Sequence, residues 1–201
     1  WTRHGQHPSR SRSEPDGRAD MPQHWRNYAS MHNAFFSVTK QLAIWQHSAG
    51  KTFFIENVTD VGNPKSPYFQ YSKRHHVPLW ITSWLRSLAT LVKLSWATTE
   101  MGGWLGRFCK PTTICGGGPR ASAYLERVNE VRSVASAHTL RATDVKPDGT
   151  NWSREAGQYP QLFCAYAAAT WLLEWRMEPL GRPKYMVLKQ ERVAAFLAPF
   201  A

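Results

Sequence analysis

The sequence is poor in the residues that cross-link small secreted proteins. Its 201 residues include only three cysteines, Cys109, Cys115 and Cys164, and no two of them form a CxxC pair. Such a sparse, odd set argues against a disulfide framework and against a zinc finger, and it favours a reducing compartment. We therefore expect an intracellular protein, nuclear or cytoplasmic.

A secretory signal and a long hydrophobic run are also missing. The first twenty residues are polar and basic, without the apolar segment of a signal peptide. The most apolar run, 162–175, is too short to cross a bilayer and contains Glu174, so it predicts a buried helix and no membrane contact. The chain begins with Trp1 rather than methionine, and we expect an upstream part within a larger polyprotein.

Acidic residues are scarce relative to basic ones. Lysine and arginine number 25 against 14 acids, which gives a formal net charge of +11. This balance favours a polyanionic partner, most often nucleic acid, although a solvated basic surface or a loosely selected reading frame is the alternative. Hydrophobic residues make up 42% of the chain, as in a globular domain with a core.

The hydrophobic pattern predicts alternating helices and strands. Apolar residues at steps of three and four predict a first helix that ends near Gly50: Tyr28, Met31, Phe35, Val38, Leu42 and Trp45. "TFFI", 52–55, then reads as a short buried strand, and this helix-to-strand step is typical of an alternating α/β sheet. A helix over 78–91, strands over 92–98 and 110–115 and a helix from about Gln161 follow.

The composition divides the chain into three parts. Residues 1–24 form an irregular basic arm, 25–178 an α/β domain and 179–201 a basic tail. The spacing of five tryptophans places them in the core: Trp45, Trp80, Trp84, Trp171 and Trp175. Trp104, in a glycine-rich loop, is instead the tryptophan that we expect to contact a ligand.

A polar pair, Glu56 and Asn57, comes directly after the predicted "TFFI" strand. Ligands of open parallel α/β sheets bind outside the carboxyl ends of the strands. The pair can therefore face a cleft while the strand stays buried. An equally weighted alternative is that Glu56 caps or salt-bridges a nearby loop.

The residues around this pair resemble a known family. "FFIENV" resembles the ENV motif of the cytosine-5 DNA methyltransferases. From about residue 10 to 172 the chain is similar to methyltransferase-like domains of retroelement polyproteins, in the order "RSRSEPDG", "HNAFFSVTKQL", "FFIENV", "KPTTI" and "QYP". The resemblance implies a Rossmann-like methyltransferase sheet with flanking helices, incomplete at its N-terminus. It also implies DNA as partner and S-adenosylmethionine as cofactor.

The resemblance also assigns roles to single residues. In the family the glutamate contacts a flipped-out cytosine, so Glu56 would hold the target base and Asn57 would shape the loop. Protonating the base requires a carboxyl group in a partly desolvated pocket. The supporting residues would be His32, Asn33 and Thr112, while Arg107 or Lys110 would stand near the base or a phosphate.

The chain lacks the residues that supply the nucleophile and bind the cofactor in this family. It has no Pro-Cys pair, no cysteine ahead of Glu56, and no glycine-rich turn suited to S-adenosylmethionine. Because Glu56 cannot replace a thiolate, we expect the isolated chain to be inactive as a methyltransferase. The alternatives are a catalytically inactive nucleic-acid-binding module of a mobile element and a decayed reading frame.

Basic side chains next to aromatic ones mark candidate nucleic-acid contacts. Lys73, Arg74 and His75 follow "YFQY", and Arg12 belongs to the basic arm. Such groups suit a nucleic-acid groove, and a solvated basic loop is the slightly favoured alternative. We predict no metal site, because the adjacent His75 and His76 have no second ligand pair.

Overall fold

The structure is a computed structural model, and it describes residues 9–104, 110–130, 146–150 and 159–176. Within these ranges the helices and strands follow one another in the order α1 (Gln23–Ser48), β1 (Phe53–Val58), α2 (Ser83–Leu91), β2 (Ser95–Glu100), β3 (Pro111–Gly117), α3 (Ala121–Glu130) and α4 (Gln161–Arg176). Short 3₁₀ turns occupy Tyr71–Lys73, Leu79–Ile81 and Met101–Trp104. The predicted tail, 179–201, lies outside the described residues.

The predicted mixture of helices and strands is confirmed for the described ranges, with differences at the boundaries. The second predicted helix begins late, because Pro78 and Thr82 both have extended backbones, with ψ of 162° and 153°. They confine 79–81 to a 3₁₀ turn and leave α2 to start at Ser83. α4 begins at Gln161, as predicted.

The three strands form an antiparallel sheet in the order β1-β3-β2. The expected parallel pairing is therefore wrong for these strands. The segment 101–110 between β2 and β3 is too short for the crossover that parallel neighbours need. The structure has a mixed α/β fold with a small antiparallel sheet, and a larger Rossmann-like sheet stays a prediction.

Glu56 and Asn57 lie within β1, so the prediction that they follow the strand is wrong. Glu56 is paired with Ile114, and Asn57 is paired with Thr113. Successive side chains of a strand point to opposite faces of the sheet. The two polar groups therefore face different sides and cannot line one cleft.

Each face of the sheet carries its own hydrophobic core. On one face, Phe53, Ile55 and Cys115 pack with residues of α1 and α2. On the other face, Ala97 and Ile114 pack with α3, α4 and the turn at 101–104. Glu56 belongs to this second face, since the ring of its strand neighbour Phe54 lies 4.4 Å from that of Tyr124 on α3.

α1 packs on the protein through a different face from the one predicted. Ala29 and Ala43 are buried, and Phe36 and Ile44 are partly buried against the first core. The stripe from Tyr28 to Trp45 points outwards, and Trp45 is 67% exposed. Small alanines let the helix approach the protein closely, which leaves the bulky side chains on the outside. The predicted core position of Trp45 is wrong, whereas that of Trp84 is confirmed.

The described part of the arm is fastened to α1. Arg10 is buried and donates hydrogen bonds to the Pro15 carbonyl at 2.6 Å and to Asn33 Oδ1 at 2.7 Å. Asn33 Nδ2 donates in turn to the Asp16 carbonyl at 2.7 Å. The basic arm is thus a structural part of the molecule from Arg10 onwards. No helix in the described ranges combines the length and the apolar character needed to span a bilayer.

Candidate functional site

The carboxylate of Glu56 meets an aromatic side chain from a distant part of the sequence. The Tyr159 hydroxyl donates a hydrogen bond to Glu56 Oε2, and the two residues are 103 positions apart. β1 supplies Glu56 from the sheet, and Tyr159 comes just before α4. Packing of α4 against the 3₁₀ turn at 101–104 brings the N-terminal end of α4 to the sheet.

Tyr159 contacts a second aromatic ring and a cation. Its ring is stacked on that of Phe163 at 5.7 Å between centroids. Lys110 Nζ lies 4.6 Å from the centroid of the Tyr159 ring, a cation–π contact. Burial, followed by the hydrogen bond to Glu56, raises the pKa of Tyr159, so the phenol stays protonated and donates. We call Glu56, Lys110, Tyr159 and Phe163 the Glu56 site.

Beneath the Glu56 site lies a buried layer of threonines and aromatic rings. Thr112, a predicted supporting residue, is fully buried and pairs with Val58 and Thr99, on the same face as Glu56. Trp104 donates its indole hydrogen to Thr99 Oγ1 at 2.9 Å and is only 3% exposed. The predicted ligand contact of Trp104 is therefore wrong, because the side chain supports Phe163 from within the core.

Asn57 takes part in a separate polar arrangement on the opposite face. Its Oδ1 accepts the backbone N–H of Val58 at 2.9 Å, at the end of β1. Its partner Thr113 has its hydroxyl 3.0 Å from those of both Thr59 and Thr98. Asn57 thus contacts the strand end and does not join the Glu56 site.

A buried carboxylate, Glu100, was missed by the sequence reasoning. It ends β2 beside Pro111 and is only 6% exposed. Its Oε1 is buried without a hydrogen-bond partner among the described residues. A hydrophobic pattern cannot reveal such a group, because its burial depends on the neighbouring strand.

The other predicted supporting residues, His32 and Asn33, serve α1 and the arm. Asn33 is occupied by its two hydrogen bonds to the arm. The His32 ring lies 4.4 Å from that of Tyr28, and burial together with the charge of Arg10 lowers the pKa of His32. Neither side chain is brought to Glu56 by these contacts.

The predicted cationic contacts are dispersed. Arg12 forms an ion pair with Asp60, with both nitrogen–oxygen distances at 2.9 Å. Arg74 is exposed, and its guanidinium lies 4.7 Å from the centroid of the Tyr71 ring, beside Lys73 and His75. Arg107 lies outside the described residues. Lys110 is the predicted cation that the described structure places at the Glu56 site.

The buried cysteine, Cys115, offers no activated thiol. Burial raises the pKa of Cys115 to about 12, so its thiol is inert at neutral pH. Cys164 is exposed on α4, and Cys109 lies outside the described residues. Within the described ranges, no three histidine, cysteine or acidic side chains group as metal ligands would.

The glycine-rich segment 116–118 does not fit S-adenosylmethionine. A side chain at Gly116 or Gly117 would meet the rings of Phe54 and Phe53, at 2.6 and 2.9 Å. The space beside these glycines is therefore filled by the protein's own core. Among the described residues, the segment 116–118 therefore leaves no space in which S-adenosylmethionine could bind.

Tyr159 and Phe163 are the functional candidates that sequence reasoning missed. The "YP" pair ahead of α4 was the available signal, but the role of Tyr159 becomes visible only when α4 is packed near β1. Comparisons of the chain with protein-family models, with curated proteins and with solved structures gave no match.

Proposed function

We propose that this chain is a DNA-binding fragment of a methyltransferase-like domain, and that its Glu56 site receives an unpaired, flipped-out cytosine. Methyl transfer from S-adenosylmethionine would need upstream residues that supply the thiolate and the cofactor site. The observation that carries the proposal is the hydrogen bond from an aromatic donor, Tyr159, to the Glu56 carboxylate.

The chemistry of a cytosine edge fits the groups of this site. Cytosine presents an amino donor, and its protonated ring nitrogen is a second donor, so a carboxylate accepts from both. A base that takes the place of the Tyr159 ring would stack on Phe163 and lie within reach of the Lys110 ammonium. Stacking on aromatic side chains and cation–π contact are common means of holding an unpaired base.

The proposal assigns binding to this chain and the chemical attack to residues outside it. A cytosine-5 transfer requires a thiolate that adds to the ring, and Glu56 can only hold or donate a proton there. Cys115 is excluded as the nucleophile by its burial and raised pKa. The chain alone should therefore bind DNA with an accessible cytosine and leave it unmethylated.

A second candidate is a catalytically inactive nucleic-acid-binding module of a mobile element. It is favoured by the filled glycine segment, which leaves no cradle for the cofactor at 116–118. On this hypothesis the exposed group of Arg74, His75 and Tyr71 binds phosphates and bases without selecting cytosine.

The first test is fluorescence anisotropy with two labelled duplexes, one fully paired and one with a cytosine opposite an abasic site. We expect the chain to prefer the second duplex, and Glu56→Gln to lose about tenfold of that preference, as for a hydrogen bond to a charged acceptor. Glu126→Gln, at an exposed position of α3, removes the same charge and is the matched control.

Titrations at low and high salt separate the two candidates. A general phosphate binder would lose affinity steeply with salt and would not prefer the accessible cytosine. Its affinity would also be unchanged by Glu56→Gln. That result would overturn the base-binding role of Glu56 and leave the second candidate standing.

Tyr159→Phe provides an independent check of the same site. The variant keeps the ring and removes the donor that occupies Glu56. If a base replaces Tyr159, the affinity for accessible cytosine should rise a few-fold while the affinity for paired DNA stays unchanged. A fall in both affinities would mean that Tyr159 holds the site together rather than filling it.

A further inference from the structure

The outward face of α1 is an apolar stripe that runs along the helix. Its members are exposed by between 38% and 67%, and Trp25 at 39% extends it at one end. We call the stripe the α1 seam: Tyr28, Met31, Phe35, Val38, Leu42 and Trp45. Soluble monomers rarely expose apolar patches larger than a few hundred Å², so a surface of this kind marks an interaction site.

The spacing of the α1 seam is that of a helix that pairs with another helix. Its six residues alternate steps of three and four, which are the a and d positions of successive heptads. Such positions insert as knobs into holes formed by four residues of a facing helix. The seam therefore favours a helical partner over an extended peptide.

The residues that flank the α1 seam are uncharged at neutral pH. The flanking e and g positions hold small, amide or hydroxyl side chains and His32, whose pKa is lowered. The charged residues of the helix, Arg26 and Lys40, both fall at the f position, on the side away from the seam. Two copies of this helix can therefore approach without repulsion between like charges at the interface.

The same charge distribution disfavours a polyanionic partner at this surface. A nucleic acid or an anionic membrane would be held by cations that border the apolar residues. Arg26 and Lys40 lie too far around the helix to do so.

α1 packs on the rest of its own chain without a partner. Ala29 and Ala43 fix its opposite face to the protein. Preorganisation of this kind reduces the entropy cost of association, which otherwise makes short isolated helix pairs marginal. Four aromatic side chains, Trp25, Tyr28, Phe35 and Trp45, are exposed by 38–67%, and aromatic side chains of this size dominate the energetics of interfaces.

We infer that the α1 seam is covered by the α1 seam of a second copy of this chain in a two-fold symmetric dimer. A symmetric pairing uses the same self-complementary patch on both copies, so no patch is left for a third copy. This inference is independent of the proposed DNA-binding function, since the α1 seam and the Glu56 site share no residue.

Sedimentation equilibrium of the whole chain tests the inference, with Leu42→Glu as the disrupting variant and Leu91→Glu as its matched control. Both leucines are exposed, by 52% and 60%, and Leu91 lies at the end of α2 outside the seam. We expect the wild type and Leu91→Glu to have the mass of two chains and Leu42→Glu to have the mass of one. Circular dichroism should show the same helix content in all three.

Two results would overturn the inference. One is a wild-type chain that stays monomeric throughout the concentration series. The other is a Leu42→Glu variant that is folded and still dimeric, which would place the dimer contact elsewhere. If Leu42→Glu unfolds, Leu42→Ala takes its place, and a Leu42→Ala variant that dimerises as tightly as the wild type would likewise place the dimer contact elsewhere.

Discussion

Adjacent residues have different environments in this protein because a strand alternates its side chains. Glu56 points to the face of α3 and α4, where it meets Tyr159, and Asn57 bonds the strand end on the opposite face. Ile114 and Cys115 are divided in the same way between the two cores. A motif such as "ENV" therefore places Glu56 and Val58 on one face and Asn57 on the other.

His76 should make the stability of the protein depend on pH. Burial is the main cause that lowers its pKa to about 4, and its Nδ1 lies 3.9 Å from Asp60, whose oxygens already accept from Arg12. The ring is thus neutral at pH 7, when this contact is not an ion pair. In the unfolded chain a histidine titrates near 6.5.

Because the pKa of His76 is lower in the folded than in the unfolded protein, the unfolded state takes up the proton at a higher pH. The contribution of neutral His76 to the free energy of unfolding is fully present above pH 6.5. It is lost as pH falls from 6.5 towards 4. Urea denaturation should show a loss of about 2 kcal/mol between pH 7.5 and pH 5. His76→Gln should abolish most of this slope, and the exposed neighbour variant His75→Gln should keep it. Equal slopes in the two variants would refute the assignment.

At the scale of elements, the turn between β3 and α3 depends on a backbone conformation that favours glycine. Gly118 has φ of +104°, and an added side chain would press on the Lys51 carbonyl and lie 2.8 Å from Thr52 Cα. These backbone atoms belong to the chain just ahead of β1 and cannot move aside without displacing the strand. The turn thus positions β1 against β3 as well as starting α3.

Gly118→Ala should lower the free energy of unfolding by about 3 kcal/mol, from backbone strain and overpacking together. Gly50→Ala is the matched control, because Gly50 has φ of +70° and open space around it. We expect Gly50→Ala to cost only about 1 kcal/mol, from the left-handed backbone alone. Chemical denaturation of both variants would measure the difference, and equal losses would show that the contact with 51–52 is unimportant.

At the scale of the whole molecule, one small sheet separates two cores. Ile55 packs with α1 and α2, and Ile114 packs with α3 and α4, although the two residues lie on neighbouring strands. Side chains without shared partners contribute independently to stability. A substitution in one core should therefore not change the effect on stability of a substitution in the other core.

Ile55→Val and Ile114→Val should each lower the free energy of unfolding by about 1 kcal/mol. The double variant should lose the sum, within about 0.5 kcal/mol, when all are compared by urea denaturation at one pH. A larger coupling energy would mean that the two cores respond as one, through shifts of β3.

The sequence by itself determined what depends on local pattern. Turn residues and hydrophobic spacing located α1, the first half of β1 and the start of α4, because these signals act within a few residues of the chain. The same spacing identified Tyr28 and Trp45 as members of one face, but it could not say whether that face meets the core or the solvent.

Only the tertiary structure decided how these elements meet. It set the antiparallel pairing of β3 with both neighbours, turned the α1 seam outwards and brought Tyr159 to Glu56 across 103 residues. Periodicity defines which side chains share a face, whereas the partner of each face depends on the packing of all the elements together. Contacts between residues far apart in the chain therefore carry no local signal that a sequence pattern can reveal.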